Sequence, residues 1–312
     1  MSHTIKVSQE QLNIMLDYYS GYLIYNDSPH TIAKAKLEKS VITFYATNTV
    51  LFQGVDETNE YNIWANKFNM TQIKTETPNY SVYENMTAIG CDEVGTGDYF
   101  GPIVVCSAFV RSDQISELKK LGVKDSKLLL DDTIIDIALK LRNIITYTIL
   151  VLSPSKFNDL HKSNSDNLNF IKACLHNKSI NSILKKLENV KYDAILIDEF
   201  TPKEKYLDYL KKVPDVNDSV ILIPKGEKVH ISIAAASILA RAAFLKEMKE
   251  LSKTVNVDLL KGASSSVDRQ AVGLIKSYGF NVLHDIAKLK FANTEKIKKY
   301  VKDNNIKIRD LN

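Results

Sequence analysis

Two adjacent carboxylates at the end of an apolar run are the residues of this sequence best placed to do chemistry. Asp92 and Glu93 follow the run Thr87 to Cys91 and are themselves followed by a glycine-rich turn. Neighbouring carboxylates are costly to bring together unless a positive charge lies between them. Hard divalent cations take carboxylate oxygens as ligands. The pair therefore indicates a divalent-cation site. A solvated hairpin loop is the alternative, because Asp, Glu and Gly are also ordinary turn residues.

The turn after the carboxylates contains Gly95, Thr96 and Gly97, and Gly101 lies a little further on. Glycine tolerates positive φ and has no side chain, so we expect Gly95 and Gly97 to let a ligand or another backbone approach closely. The glycine spacing differs from the dinucleotide-binding fingerprint, and no Gly-Lys-Ser/Thr follows as in a P-loop. The turn is therefore not a standard nucleotide cradle.

Further acids end two other apolar runs. The run Ala194 to Ile197 leads to Asp198 and Glu199, and the run Val220 to Ile223 leads to Glu227. Uninterrupted apolar runs are typical of buried strands that deliver a residue to one edge of a sheet. Three strand ends that carry acids favour a metal site over a set of solvated loops.

These acids indicate Mg²⁺ or Mn²⁺ chemistry, since the sequence offers no Ser-His pair, no zinc ligand set and no phosphate loop. Two such ions about 3.5–4 Å apart can activate a water and stabilise the leaving oxygen of a phosphodiester. We predict that Asp92 and Asp198 bridge the two ions and that Glu93 and Glu227 complete the ligand shells. Glu199 is the weaker candidate, because a surface charge has the same appearance in the sequence. Four histidines lack ligand-like spacing, and we expect them to be structural or at the surface: His161, His176, His230 and His284.

A cationic loop follows the second strand and a short helix. Lys124, Ser126 and Lys127 place two cations and a hydroxyl close together, which predicts a phosphate contact. A plain turn with capping residues is the alternative. Asp113 and Asp268 are predicted to cap the helices that follow them.

Residues 1–70 predict a small α+β domain. Ser8 and Gln11 have the spacing of a capping box at the start of a helix, and a second helix is predicted from Asn62 to Phe68. From His30 onward apolar and polar residues alternate, which predicts an antiparallel meander with one face packed on helices.

The opposite face of that meander is predicted to carry Lys34, Lys36, Thr43 and Tyr45. Cations interleaved with hydroxyl and aromatic groups suit a nucleic-acid backbone. A solvated sheet face is the alternative, and residues 1–80 carry six Lys/Arg against eight Asp/Glu although the whole chain has a net charge of +4.

Length and composition indicate a globular protein of two domains. The chain has 312 residues, of which 45% are hydrophobic and 25% charged. Residues 71–85 are polar, contain Pro78 and predict a linker, which leaves residues 86–312 as the second domain. The small-residue run Ser232 to Arg241 predicts a helix packed closely on the sheet of that domain.

The remaining bulk features indicate a cytoplasmic protein without membrane contact, and we expect it to be a monomer. No apolar run reaches the ~20 residues of a membrane span, and the polar N-terminus does not have the pattern of a signal peptide. The three cysteines are odd in number and form no C-x-x-C pair, so we expect buried thiols in a reducing compartment. These are Cys91, Cys106 and Cys174.

The run from Asp92 to Pro102 resembles the signature of bacterial ribonuclease HIII. Four further segments occur in the order typical of that family, and the resemblance covers nearly the whole chain. They are Lys124-Asp125-Ser126-Lys127, Ile197-Asp198, Lys225-Gly226-Glu227 and the run Ser232 to Arg241.

The resemblance implies an RNase H-like α/β catalytic domain with a mixed central sheet flanked by helices. A small α+β domain that is similar to one half of a TATA-box-binding protein would precede it. The implied activity is endonucleolytic cleavage of the RNA strand of RNA/DNA hybrids with Mg²⁺ or Mn²⁺, leaving 5′-phosphate and 3′-hydroxyl ends. The four active-site acids of the family match Asp92, Glu93, Asp198 and Glu227.

The resemblance also implies where substrate binds. The turn Gly95, Thr96 and Gly97 matches the motif that senses ribose 2′-hydroxyls, the group that distinguishes RNA from DNA. Lys124, Ser126 and Lys127 match a region that holds the backbone near the cut. The N-terminal domain of the family binds substrate, which draws attention to Lys34, Lys36 and Tyr45.

Three alternatives stay open. The sister family, ribonuclease HII, usually has Gly-Arg-Gly in the turn and Asp as the last acid, whereas this chain has Thr96, Glu227 and an N-terminal domain. A catalytically silent hybrid-binding module should lack at least one acid, and none is missing. A DNA-cutting recombinase on the same fold should not need the Gly-Thr-Gly turn.

Overall fold

The chain divides into two compact units, Met1–Asn79 and Tyr80–Asn312. The computed structural model describes residues 2–25, 30–69, 79–124, 126–161 and 167–307. Most of the predicted linker, together with Asp125, lies outside these residues, and the linker stays a prediction. None of the helices in the described ranges has the length and apolar character that crossing a membrane requires.

The first unit is an antiparallel sheet with two helices on one face. The sheet order is β1-β5-β4-β3-β2, and every neighbouring pair is antiparallel. The predicted meander is confirmed as β3-β4-β5. The elements are β1 (Ser2–Lys6), α1 (Gln9–Tyr18), β2 (Leu23–Tyr25), β3 (Thr31–Lys36), β4 (Ser40–Tyr45), β5 (Thr49–Gly54) and α2 (Glu57–Lys67).

The two helices of this unit begin differently from one another. Ser8 caps α1 through the predicted capping box, in which the backbone and side chain of Ser8 and Gln11 bond reciprocally. Helix α2 begins at Glu57, earlier than the predicted Asn62, because its first turn is polar and shows no apolar period.

A polar chain runs through the core of the first unit. Trp64 Nε1 donates to the Tyr19 hydroxyl at 2.7 Å, and that hydroxyl donates to Glu60 at 2.6 Å. Burial, and then the bond to Glu60, raise the pKa of Tyr19, so its hydroxyl stays protonated and can both accept and donate. Apolar side chains of α1 and of the inner sheet face pack around these hydrogen-bonded residues. They are Leu12, Met15, Ala33, Ala35, Ile42, Phe44 and Phe52.

Tyr19→Phe should destabilise the first unit by about 1–3 kcal/mol, because the buried indole N–H of Trp64 loses its acceptor. Trp64 is the single tryptophan of the chain, so its fluorescence reports the unfolding of this unit in urea. The neighbouring Tyr18 is 58% exposed, and Tyr18→Phe should change stability by less than about 0.5 kcal/mol. Equal losses in the two variants would contradict the role given to the Tyr19 hydroxyl.

The second unit is built on a mixed sheet with the order β10-β9-β6-β7-β8. Strands β6, β9 and β10 run parallel, whereas β7 pairs antiparallel with both of its neighbours. The elements are β6 (Ala88–Val94), β7 (Ile103–Val110), α3 (Ile115–Lys120), α4 (Asp131–Ile144), β8 (Thr146–Leu152), α5 (Pro154–His161), α6 (Leu168–Leu187), β9 (Ala194–Asp198), α7 (Lys203–Leu210), β10 (Val220–Ile223), α8 (Ile231–Thr254), α9 (Ser265–Tyr278), α10 (Val282–Ile286) and α11 (Ala292–Asp303). The predicted fold class is confirmed.

Helices α8 and α6 cover opposite faces of the central strand β6. Gly90 faces α8 so closely that a Cβ there would collide with the backbone of Ser232 and Ile233, which confirms the predicted close packing of the small-residue helix. Ile89 and Cys91 face the other way, into the cluster that contains Ala173, Ile180 and Ile183 of α6. Since side chains alternate along a strand, Asp92 belongs to the α8 side and Glu93 to the α6 side.

Several local predictions were wrong. Asp113 lies inside a 3-10 helix, Ser112–Gln114, and pairs with Arg111 at 3.0 Å rather than capping α3. Asp268 lies within α9, which follows Ser264, and accepts a hydrogen bond from Asn293 at 2.5 Å. Cys91 and Cys106 are buried thiols as expected, but Cys174 is only half-buried.

Candidate active site

The parallel strands bring the predicted acids to one edge of the sheet. Asp92 lies near the end of β6, Asp198 is the last residue of β9, and Glu227 lies in the 3-10 helix Gly226–Lys228 after β10. The Gly226 N–H donates to Asp198 Oδ1 at 2.7 Å and so ties two of these strand ends together. Glu199 is exposed, which agrees with its being the weaker candidate.

Asp92 is an acid in an unfavourable place. It is 9% exposed, and burial, followed by the charges of Glu93 and Asp198, raises the pKa of Asp92 well above its usual value. Hydrogen bonds from the Ser237 hydroxyl and from the Glu93 backbone N–H, the latter at 2.7 Å, offset part of this cost. A charged Asp92 would gain stability from an added positive charge.

Asp198 and Glu227 are also carboxylates that are partly or fully withdrawn from solvent. Burial, reinforced by the charges of Glu227 and Glu93, raises the pKa of Asp198 to about 7 against the opposing hydrogen bond from Gly226. Glu227 is 8% exposed, and its Oε2 is buried with no hydrogen-bond partner. Its Oε1 lies 3.7 Å from Lys127 Nζ. Because an unpartnered buried carboxylate oxygen is costly, Oε2 of Glu227 is suited to a ligand position.

Glu93 is held by two residues that the sequence analysis did not single out. Lys172 Nζ lies 2.5 Å from Oε1 and His176 Nε2 lies 2.9 Å from Oε2. Burial alone would raise the pKa of Glu93, but the His176 hydrogen bond and the Lys172 charge outweigh it and lower the pKa. His176 is thus buried against one of the four acids. The i, i+4 spacing of Lys172 and His176 on one helix face was the available signal.

The donor set fits a hard divalent cation. Its members are carboxylate oxygens from three strand ends, two of them with raised pKa values and one with an unpartnered oxygen. As the side chains lie, no group of three or more His, Cys, Asp or Glu in the described residues is arranged to hold an ion. Glu93 lies on the α6 side of β6, whereas Asp92 lies on the α8 side.

The glycine-rich turn is shaped as predicted at one glycine and differently at the other. Gly95 has φ +93°, and a Cβ there would meet the Pro102 carbonyl oxygen. Gly97 does not have a positive φ, but it is exposed and has nothing within 4 Å of the position of a Cβ. Asp98 Oδ1 accepts from the Gly262 N–H at 2.5 Å and fixes the turn. A substrate backbone can therefore approach at Gly97, next to the half-buried Thr96.

The cationic loop lies beside the acids. Lys124 is exposed and lines, together with Glu227, a cavity of about 460 Å³. Lys127 is exposed and close to Glu227, as described above. Both lysines are therefore near enough to a strand end to contact a phosphate held at the acids.

Ser126 connects the same loop to Asp92 through buried hydrogen bonds. It is buried, and its Oγ lies 2.8 Å from Ser237 Oγ, which in turn reaches Asp92. Arg241 donates to the Ser126 carbonyl and to Asp131 Oδ1, the latter at 2.8 Å, and so anchors the loop. Ser237 was missed in the sequence because the small residues of its helix are explained by packing alone.

The predicted substrate-binding lysines of the first unit, Lys34 and Lys36, lie on the sheet face opposite its helices. Lys34 and Thr43 are cross-strand partners, so they share a face with Lys36 and Tyr45. Lys34 and Lys36 are exposed and Tyr45 is half-buried. Thr43 is only 3% exposed, contrary to the expectation of an outward hydroxyl. Lys6 adds a third exposed lysine to this face.

Two family models match the chain, one in each unit. Residues 89–294 match the model described as Ribonuclease HII, a range that includes all four acids. Residues 2–77 match a model described as Domain of unknown function (DUF3378).

A full-length relative decides which of the two sister families this chain belongs to. Ribonuclease HIII of Geobacillus sp. (strain WCH70) is 39% identical over 96% of this chain and 99% of its own length. That match includes both units. The chain belongs to the ribonuclease HIII family. Its predicted enzyme class, a ribonuclease H, is therefore confirmed.

Solved structures agree with this family. A crystal structure described as Bst-RNase HIII in complex with Mn²⁺ is 36% identical, covers 97% of this chain and 100% of its own, and gives a TM-score of 0.70. The ribonuclease H2 from Pyrococcus horikoshii OT3 is 24% identical, covers 70% of this chain and 100% of its own, and gives a TM-score of 0.59. The second likeness shows a shared fold.

Proposed function

We propose that this chain is an endoribonuclease that hydrolyses the RNA strand of RNA/DNA hybrids, leaving 5′-phosphate and 3′-hydroxyl ends. One observation carries the proposal. Asp92, Asp198 and Glu227 stand at three parallel strand ends, where burial and mutual repulsion raise the pKa of the first two and Oε2 of the third has no partner. Such a cluster is stabilised by added positive charge.

Asp92, Glu93, Asp198 and Glu227 would hold Mg²⁺ or Mn²⁺. Two such ions, when bound, supply an activated water and a stabilised leaving oxygen. The Mn²⁺ described for Bst-RNase HIII supports a divalent cation here. The chain itself orients the acids: the Gly226 N–H fixes Asp198, and Ser237 fixes Asp92.

The turn formed by Gly95, Thr96 and Gly97 would distinguish RNA from DNA. The open space above Gly97 admits a ribose, and the Thr96 hydroxyl beside it is a group that can bond a 2′-hydroxyl. Lys124, Ser126 and Lys127 would hold the backbone near the cut. The cavity shared by Lys124 and Glu227 supports this assignment.

The sheet face opposite the helices of the first unit, its open sheet face, would bind the hybrid backbone through Lys34 and Lys36, with Tyr45 beside them. Lys34→Gln/Lys36→Gln should weaken hybrid binding and reduce the slope of log K against log salt by roughly one for each phosphate that a lysine no longer neutralises. The rate at saturating hybrid should not change, because the acids are untouched. Equilibrium binding at several salt concentrations measures the slope.

A matched double variant controls for charge in this experiment. Lys39→Gln/Lys67→Gln removes the same charge from a turn and from α2, away from the open sheet face. An equal loss of affinity in both double variants would show that only net charge matters, and the open sheet face would then make no specific contact with the hybrid.

Cleavage of an end-labelled RNA/DNA hybrid tests the activity directly. We expect cuts in the RNA strand with Mg²⁺ or Mn²⁺, none with EDTA, and 3′ ends that a polymerase can extend. RNA/RNA and DNA/DNA duplexes serve as matched substrates and should stay intact. Binding of the hybrid without cutting would support the silent module, and cutting of DNA/DNA would support a recombinase-like activity.

A further inference from the structure

The Glu93 carboxylate is clamped on both oxygens by one helix. Lys172 Nζ contacts Oε1 at 2.5 Å and His176 Nε2 contacts Oε2 at 2.9 Å. The side chains of Lys172, His176 and Glu93 are 9%, 0% and 10% exposed. Because a carboxylate can only accept, His176 Nε2 carries the hydrogen of this bond. The two contacts together fix the rotamer of Glu93.

An aromatic ring fixes the clamp in turn. Lys172 Nζ lies 4.1 Å from the centroid of the Phe200 ring, and the His176 ring stacks on the same ring at 5.3 Å with an interplanar angle of 17°. A cation over an aromatic face is attracted to it, more strongly when water is excluded. Phe200 follows shortly after Asp198 in the chain. The clamp therefore joins α6, β6 and the end of β9, and Lys172 is held in place from two sides.

We propose that Lys172 and His176 are positioning residues that hold Glu93, and that the Lys172 charge competes with a divalent cation for this carboxylate. The proposal rests on the proposed function, which makes Glu93 a cation ligand. His176 holds the carboxylate through the hydrogen bond from Nε2, while its Nδ1 is buried and has no hydrogen-bond partner. Lys172 holds it and also repels an incoming cation, so it keeps Glu93 in place and at the same time lowers the affinity of the site for the ion.

Four variants separate these two effects. Lys172→Met removes charge and donor, Lys172→Gln removes the charge but keeps an N–H donor on a side chain one atom shorter, and Lys172→Arg keeps both charge and donor. His176→Phe removes a donor but keeps a ring that can stack on Phe200. Lys178→Met, at an exposed position of the same helix, is the control for the loss of a positive charge. Each protein is measured for Mn²⁺ binding without substrate and for hybrid cleavage at saturating Mn²⁺.

We expect Lys172→Met and Lys172→Gln to bind Mn²⁺ about tenfold more tightly than the native chain, since a fixed like charge has gone. We expect Lys172→Met to cleave at least about tenfold more slowly at saturating Mn²⁺, since Glu93 has lost its position. Lys172→Arg should return both quantities towards the native values. His176→Phe should slow cleavage but leave Mn²⁺ affinity within about twofold, and Lys178→Met should change neither.

The proposal is overturned if neither neutral Lys172 variant binds Mn²⁺ more tightly, or if Lys172→Met matches Lys172→Arg in both measurements. If Lys172→Met does not fold, Lys172→Gln decides, because it retains a donor to Glu93. The binding titration needs no hybrid. A native chain that binds Mn²⁺ but does not cleave would therefore refute the proposed function, while the comparison of affinities would still decide the role of Lys172.

Discussion

Asp198→Asn should abolish hybrid cleavage and, in EDTA at pH 8, make the protein more stable. The loss of a carboxylate at the reacting centre should cost at least about 10³-fold in rate, or about 4 kcal/mol of barrier. The gain in stability follows from linkage. The folded pKa of Asp198 is about 7 against 3.8 unfolded, so the native state binds more protons between these values and stability falls as pH rises through them.

The charged Asp198 therefore weakens the fold at pH 8 when no cation is bound, and Asn removes that cost. Because Asp198 is partly exposed, we expect a gain of about 1–3 kcal/mol rather than the full value of the pKa shift. Urea unfolding at pH 8 and pH 4 measures it, and the gain should shrink towards pH 4.

The adjacent exposed acid provides the control for Asp198. Glu199→Gln should leave both the cleavage rate and the stability in EDTA nearly unchanged, since surface substitutions change stability by less than about 0.5 kcal/mol. An Asp198→Asn protein that cleaves at the native rate, or that is less stable than the native chain at pH 8, would refute this account of the acid cluster.

Lys288 should make the stability of the second unit rise with pH. The side chain is fully buried, and Nζ donates to the carbonyls of Phe100 at 3.3 Å and Gly101 at 2.5 Å. Burial lowers the pKa of Lys288 from 10.5 to about 7, with a small opposing effect from Asp98. Between these values the unfolded state binds more protons, so stability rises with pH by up to about 1.4 kcal/mol per unit.

Lys288→Met should remove most of this slope and should also lower stability at pH 9 by about 1–3 kcal/mol, since two buried carbonyls lose a donor. From pH 7.5 to pH 9 the native chain should gain about 2 kcal/mol relative to the variant. Urea unfolding at the two pH values gives the difference. The window lies above the folded pKa of Asp198, so that carboxylate adds no slope of its own.

Lys276→Met, at an exposed position of α9, is the matched control and should keep the native pH slope. Parallel pH dependence in the native chain and in Lys288→Met would mean that Lys288 is charged in both states across this range. The carbonyls of Phe100 and Gly101 would then accept hydrogen bonds from a charged ammonium group at every pH tested.

The strands that carry the acids were predictable because each is a buried apolar run that stops at a carboxylate. The β10 bounds, Val220–Ile223, match the prediction, and β9 extends it by one residue to Asp198. Parallel order then brings their ends to one edge, which is a property of the sheet rather than of any one residue. The capping box at Ser8 was equally predictable, since it is a contact within one turn.

Contacts between distant elements were not predictable. Lys172 and His176 have the appearance of ordinary polar residues of a helix, and only the packing of α6 on β6 brings them to Glu93. Ser237 reaches Asp92 only because α8 crosses β6 at Gly90. The short elements β2, α5, α7 and α10 were missed because so few residues show no clear period.

The cap predictions at Asp113 and Asp268 failed for a related reason. Asp is favoured at a helix start, but it also pairs with any nearby donor. Asp113 pairs with Arg111, two residues before it, and Asp268 accepts a hydrogen bond from Asn293 of a distant segment. Thr43 faces the predicted side of its strand, and yet its side chain is buried. Strand alternation gives the direction of a side chain, whereas its exposure depends on neighbours that are far away in the sequence.

The order of strands in the mixed sheet also determines when each of the four acids can reach the site during translation. Strands β6 and β7 are sequence neighbours and can pair as a hairpin while the chain is still growing, with Asp92 and Glu93 already on it. Asp198 and Glu227 arrive only when β9 and β10 have been translated and have paired at long range. A nascent chain or an N-terminal fragment that stops before β10 therefore carries only part of the acid set, and we expect nuclease activity only in molecules that extend beyond Glu227 and in which β9 and β10 have paired.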